Sequence, residues 1–320
     1  MKAYHITAPG ARPEFKRLDL PPPGPGQARV KIAACALNFA DLLMIEGRYQ
    51  EMPEPPFALG MEMAGTVEAL GRDTTGPPPG TRVAIYAGCG GLAEAGNFSV
   101  ELLTPVPDAI STETAAAFQI AYGTAHLALA HRATLRPGER LVVTGAGGGA
   151  GLSAVEVGAL MGAEVVAVAR GHDKMEVARR AGAAHLLDSD RMDLRAEILS
   201  LGGADVVYDT VGGDLWEALF RAANPEARLM PIGFAGGSVP QIKANHLLVK
   251  NLTVIGLYWG AYLKFAPSTL TSSLAQVLKW LAEGKLTLHI GARYPFAEAG
   301  AALEALKSRS VAGKIVVTMD

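Results

Sequence analysis

Cysteine is scarce: Cys35 and Cys89 are the only two in a chain of 320 residues. That excludes a disulfide framework and a four-thiolate zinc lobe. Charge of one sign is not in excess either. Lys plus Arg number 29 and Asp plus Glu 31, a formal net charge of −2, without the basic stripe of a nucleic-acid binder. A long apolar run is also missing. Residues 1–17 turn polar before a signal-peptide core can develop. The stretch 141–169 is nearly free of charge, but Glu156, Glu164 and five glycines between 145 and 151 argue against a membrane span. Apolar residues make up 49% and charged residues 19%, against about 45–50% and about 25% in ordinary globular domains. A disordered or coiled-coil protein is therefore excluded. The expectation is a cytoplasmic globular protein of two domains, with neither nucleic acid nor membrane as a partner.

What is there changes texture along the chain. The first 123 residues are rich in proline and glycine, with short β-like runs at 30–36, 63–70, 82–86 and 98–103. Proline clusters at 21–25, 53–56 and 77–79 separate them, since proline cannot continue a central strand. An irregular β-barrel or sandwich is expected. From 124 to 260 strands alternate with helices. Strands are expected at 141–144, 164–169, 185–187, 205–209, 228–232 and 252–257, with helices from 151 and at 173–181, 193–201 and 214–223. Nearly all-apolar strands between helices mean a parallel sheet covered on both faces. Residues 261–320 return as mixed structure, with helices at 270–283 and 297–309 and a last strand at 314–318, and are assigned to the first domain. The fold class is α/β: a doubly wound nucleotide-binding sheet inserted into a catalytic domain built from both chain ends.

The strand at 141–144 runs into Gly145-Ala-Gly-Gly-Gly-Ala-Gly151 and then a helix. The dinucleotide fingerprint aligns as Ala146-x-Gly148-x-x-Gly151. Gly148 and its neighbour Gly149 let backbone approach a pyrophosphate, and Gly151 lets the helix pack on the strand. The helix N-terminus then turns free N–H groups to the phosphates. An NAD-binding domain places Asp or Glu about 20 residues on; here that position is Ala169, followed by Arg170 and Lys174. Cations without an acid welcome a 2′-phosphate. Two charge-assisted contacts of about 1.5 kcal/mol each would favour NADPH by roughly 100-fold.

With these residues, the chain resembles the medium-chain dehydrogenase/reductase superfamily, and within it the zinc-free quinone oxidoreductases of the zeta-crystallin group. The resemblance rests on Leu37-Asn-Phe-Ala-Asp-Leu42, Gly60-Met-Glu-Met-Ala-Gly65, Ala121-Tyr-Gly-Thr-Ala-His126 and Gly145 to Gly151. Val207-Tyr-Asp-Thr-Val-Gly-Gly213, Lys250-Asn-Leu-Thr-Val-Ile-Gly256 and Ser308-Arg-Ser-Val-Ala-Gly-Lys-Ile315 add to it. It implies a GroES-like catalytic domain and a Rossmann domain. The three catalytic zinc ligands of the alcohol dehydrogenases fall, by alignment, on Asn38, Met61 and Ile120. An amide, a thioether and an alkyl group do not make a zinc site, and His126 and His131 lack the i, i+4 spacing of a helical pair. No metal is expected.

Without a Lewis acid, hydrogen-bond donors have to hold the charge that hydride transfer builds on oxygen. The resemblance places Asn38 near the nicotinamide ribose and substrate, Tyr49 at the quinone pocket and Thr124 beside the nicotinamide. Each also has a plain structural reading: Asn38 and Thr124 as helix caps, Tyr49 as a rim aromatic. Asp41 reads as structural, and Glu62 as a buried carboxylate with Lys314 as partner. Arg309 matches an arginine that reaches the 2′-phosphate, Ser189 replaces a tyrosine found in some relatives, and Phe234 and Tyr258 should flank the nicotinamide. Leu252 to Leu257 looks like an edge strand paired across a two-fold in a homodimer. The expected activity is NADPH-dependent, zinc-independent reduction of quinones. Reduction of α,β-unsaturated carbonyls and a non-catalytic, crystallin-like NADPH-binding role remain open.

Overall fold

The computed structural model describes residues 1–190 and 193–319. Arg191, Met192 and Asp320, the expected end of the third segment, lie outside the described residues. The chain divides into two units, Met1–Ile120 with Leu288–Asp320, and Ala121–Thr287.

The first unit opens with β1 (Lys2–Ile6), β2 (Glu14–Arg17) and β3 (Gln27–Leu37). Helix α1 (Phe39–Ile45), β4 (Phe57–Ala58), β5 (Glu62–Leu70) and β6 (Arg82–Tyr86) follow. Then come β7 (Ala95–Ser99), β8 (Leu103–Pro105) and α2 (Thr112–Ala117). In β3, Ala28, Val30 and Ile32 point inward while Lys31 faces out, the period of two expected of a strand with one buried face. β3 pairs antiparallel with β5, and β5 with β6. The strand expected at 98–103 is instead two strands. β7 pairs with β3 and β8 with β6, so the chain crosses between partners through a 3-10 turn at Val100–Leu102. β1, β2 and β4 form a small separate sheet. The sequence reading lacks β1 and β2, whose Lys2, His5, Lys16 and Arg17 look like loop polarity.

Helix α3 (Gln119–His126), within which the second unit begins at Ala121, is continued by a π-helical turn at Leu127–Arg132. Then come β9 (Arg140–Thr144), α4 (Gly149–Leu160), β10 (Glu164–Ala169), α5 (His172–Arg180) and β11 (His185–Asp188). After them run α6 (Leu194–Ser200), β12 (Ala204–Asp209), α7 (Gly213–Ala222), β13 (Ala223–Pro231) and α8 (Ala244–Lys250). β14 (Thr253–Val254), α9 (Tyr262–Phe265) and α10 (Pro267–Ala282) close the unit. The sheet order is β11-β10-β9-β12-β13-β14, parallel throughout. This is the doubly wound Rossmann order, whose reversal between β9 and β12 marks the ligand crevice. Val142, Val166, Val207 and Leu229 pack with Trp216, Leu219 and Phe220 in its core. The edge strand expected over 252–257 shrinks to two residues, because it has one sheet neighbour and the chain leaves the ladder at Gly256. Residues 261–287, expected with the catalytic domain, cluster here. The buried face of α10 (Leu270, Leu274, Val277, Leu281) and the Thr287 hydroxyl, 2.8 Å from Glu156 on α4, hold them.

The chain then returns with β15 (Ile290–Pro295), α11 (Ala299–Lys307) and β16 (Lys314–Thr318). β16 pairs antiparallel with β3, setting Ile315 opposite Leu37. Ile315, Val317, Phe296 and Leu303 join Val30, Ile32, Met63 and Ile85 in the first unit's core. Both chain ends therefore build that unit.

Candidate active site

β3 ends at Leu37, and Asn38 turns the chain into α1 with extended backbone (φ −130°, ψ 154°). Its N–H donates to Asp41 Oδ2 at 2.8 Å, the reach-back of a capping box. Asp41 Oδ1 accepts from Gly60 N–H at 3.2 Å, so one buried carboxylate pins the start of α1 to the turn before β5. Asp41 is structural, as its place in the sequence suggests. Burial pushes its carboxyl up to about 7; the N–H groups of Asn38 and Gly60 and the Lys314 charge oppose the shift without overcoming it.

The Asn38 side chain has a second occupation. Nδ2 donates to Glu62 Oε1 at 3.0 Å and Oδ1 accepts from Lys314 Nζ at 2.8 Å. Glu62 and Lys314, 0% and 4% exposed, form the expected pair at 2.8 Å. The cap and the inward-turned amide are thus the same residue. Tyr86, which the sequence reading takes only as the end of a strand, belongs to this neighbourhood: β6 sets it opposite Glu62 on β5. Burial raises its phenol well above the ordinary value, and Tyr49, Glu51 and Glu62 add to the shift. The signal available was the end of a period-two strand facing the Gly60–Gly65 block. Tyr49 itself is partly buried against the first unit's core. Arg309, just past α11, sits in a left-handed conformation (φ 54°).

In the second unit, Ala146 is buried and Gly148 is the N-cap of α4, with no side chain closing that helix end. A Cβ at Gly151 would collide with the Gly145 carbonyl oxygen, so only glycine lets α4 pack there. A Cβ at Gly147 would strike the Lys174 stem at 2.5 Å; Lys174 therefore runs along the glycine turn. Gly149 opens α4. β10 ends at buried Ala169, and Arg170 follows with a mostly exposed side chain paired through Nε to Asp190 at 3.0 Å. Across the crevice of the sheet, the Thr144 hydroxyl donates to buried Asp209. Asp209 also accepts from Val211 and Gly212 N–H at 3.0 Å, locking the loop after β12. The sequence reading used that block only as a family mark, although a lone Asp closing an apolar strand was visible. Thr124 on α3 and Tyr258 are half-buried, Ser189 follows β11, and Phe234 is 41% exposed. His126 and His131 border one groove of about 570 Å³, because the π-turn changes the spacing that separates them on an α-helix. Among the described residues no group of three or more His, Cys, Asp or Glu is placed to hold a metal. Nor is any described helix long and apolar enough to cross a membrane.

Comparison with known proteins follows this division. The family described as alcohol dehydrogenase GroES-like domain matches residues 24–110, and that described as zinc-binding dehydrogenase matches 149–283. A quinone oxidoreductase-like protein 2 homolog of Nematostella vectensis is 37% identical over 300 residues, 92% of this chain and 82% of that one. The chain is a quinone oxidoreductase-like member of the medium-chain dehydrogenase/reductase superfamily. Quinone oxidoreductase-like protein 2 of Bos taurus is 35% identical, covering 93% of this chain and 86% of its own. The quinone oxidoreductase of Thermus thermophilus, solved also in complex with NADPH, superposes with a TM-score of 0.89 at 34% identity, covering 99% and 100% of the two chains. As a member of this superfamily the protein is an NAD(P)H-dependent oxidoreductase. The sequence match and the Rossmann order agree on the same fold class.

Proposed function

We propose that this quinone oxidoreductase-like protein is an NADPH-dependent, zinc-independent reductase of quinones. The observation that carries the reading is the join of β10 to the glycine turn. Ala169 stands where an acid would hold a ribose hydroxyl, and Lys174 lies along Gly147 beside the uncapped end of α4. Ala146, Gly148, Gly149 and Gly151 would hold the pyrophosphate there. Arg170 and Lys174, with Arg309, would take the 2′-phosphate. The Arg170–Asp190 pair is exposed and of the kind worth little, so it does not compete seriously with a phosphate. Phe234, Tyr258 and Thr124 would border the nicotinamide.

Zinc does not fit the donor set. Asn38 spends its amide on Glu62 and Lys314, Met61 is a buried thioether, and Ile120 has no donor atom. Bound NADPH would supply the hydride. The protein's part is to orient the acceptor and hold the charge that grows on its oxygen. The second Nδ2–H of Asn38 has only a 3.4 Å contact to the Ala36 carbonyl and is the donor left for that oxygen. Tyr86, whose phenol stays protonated through the neutral range, and Tyr49 supply O–H donors. The substrate is a small molecule, and the sheet edge at β14, beside Leu248 and Val249 (78% and 76% exposed), is the homodimer surface.

The test follows NADPH oxidation with 1,4-benzoquinone, 9,10-phenanthrenequinone, 2-hexenal and crotonyl-CoA, with NADH as control. Fast turnover of the quinones, at least 10-fold slower with NADH and unchanged by a chelator, is the expected result. Faster enal turnover would assign the protein to the enone reductases, and NADPH binding without turnover would make it a non-catalytic binder.

A further inference from the structure

Glu62 receives three donors in a site closed to solvent. Lys314 Nζ lies 2.8 Å and Asn38 Nδ2 3.0 Å from Oε1, and the N–H of Ile120, in the first turn of α3, lies 3.0 Å from Oε2. A carboxylate accepts on both oxygens, which an amide cannot do. A glutamine of the same shape would turn its Nε2 either on the Ile120 N–H or on the Lys314 ammonium, so one donor would face another in either orientation. Lys314 is saturated as well: its three protons reach Glu62 Oε1, Asn38 Oδ1 at 2.8 Å and the Leu37 carbonyl at 3.0 Å.

The Asn38 amide stands between an ammonium that accepts nothing and a carboxylate that donates nothing. Its oxygen therefore faces Lys314 and its nitrogen faces Glu62. A flipped amide would set oxygen against carboxylate and N–H against ammonium in a low-dielectric interior, where unmet polar groups cost most. Burying an ion pair is a poor way to gain stability, and the isosteric Met of a hydrophobic core would serve packing as well as Lys314. The charges make sense as a device that dictates a direction.

We propose that the buried Lys314–Glu62 pair is the positioning device of the active site, holding the Asn38 amide in one orientation throughout turnover. The inference rests on the reading that Asn38 donates to the substrate oxygen. It makes Lys314 and Glu62 positioning residues, not residues that touch substrate.

Glu62→Gln and Lys314→Met test it, the first keeping the side-chain shape should the second fail to fold. In the whole protein both are expected to lower kcat for NADPH-dependent quinone reduction 10- to 100-fold. KM for NADPH should stay within twofold, and the deuterium isotope effect with C4-deuterated NADPH should rise as hydride transfer becomes slower. A second readout needs no turnover: the Asn38 Nδ2 protons, identified by their loss in Asn38→Asp, should exchange slowly with water in the native protein and much faster in Glu62→Gln. A folded Glu62→Gln protein with kcat within twofold of native, or with unchanged Asn38 exchange, overturns the proposal. Failure of the functional reading looks different: the native protein then oxidises NADPH with none of the acceptors, and the exchange experiment alone decides.

Discussion

Asp41 carries the clearest pH signature among the residues of the candidate site. Its carboxyl titrates at about 7 in the fold against an ordinary value of 3.8, chiefly because it is buried. A raised carboxyl pKa means that the folded state binds the proton more tightly than the unfolded chain. Stability from this group is therefore full below about pH 4, falls as pH rises towards 7, and is level above that. The span is about 4 kcal/mol. Asp41→Asn removes the proton but also sets an amide N–H against Asn38 N–H or Gly60 N–H, costing about 1–3 kcal/mol. Urea unfolding of both proteins between pH 4 and 8 should show the advantage of the native protein over Asp41→Asn shrinking from pH 4 to about 7 and levelling off above that. A pH-independent difference would show that Asp41 stays ionised. The same residue shows what a sequence can reveal. The Asn38-x-x-Asp41 spacing announces a cap, whereas Glu62 pairing with Lys314, 252 positions away, follows only from β16 lying beside β3 and β3 beside β5.

At the scale of elements, the legible parts are those whose packing repeats a local period. β3, β6, β10 and β16 alternate or are uniformly apolar, and they form where the pattern puts them. The 98–103 run is apolar enough for one strand, but its halves answer to different partners, and β15 shows no apolar run because only alternate residues are partly covered. Partner choice is not local, so neither could be read. The cofactor end of the second unit is local, being one turn and one helix start, and it supports a direct prediction. Lys174→Ala should weaken NADPH binding about 10-fold, as the loss of one charge-assisted contact implies. NADH binding should change less than twofold. Arg170→Ala should have the smaller effect, since that side chain is mostly exposed and its contacts are screened by solvent. Fluorescence titration with both cofactors checks this, and equal losses for NADH and NADPH would place Lys174 at the pyrophosphate instead of the 2′-phosphate.

For the molecule as a whole, the two units differ in how they are drawn from the chain. Residues 121–287 are continuous and own a complete six-stranded sheet with its core. The first unit is discontinuous. Without the C-terminal segment it loses β15, β16 and α11, exposes the edge of β3, and leaves Glu62 buried with no cation, a loss of about 3–5 kcal/mol by itself. Most domains have only about 5–15 kcal/mol in all. Residues 121–287 expressed alone should therefore melt cooperatively and bind NADPH. Residues 1–120 alone should show no cooperative transition, and joining 288–319 to them through a short glycine-serine linker should restore one. Circular dichroism melts of the three fragments and an NADPH titration of the first decide it. A cooperative melt of 1–120 alone would mean that the buried Lys314 and the two returning strands contribute far less than their burial implies.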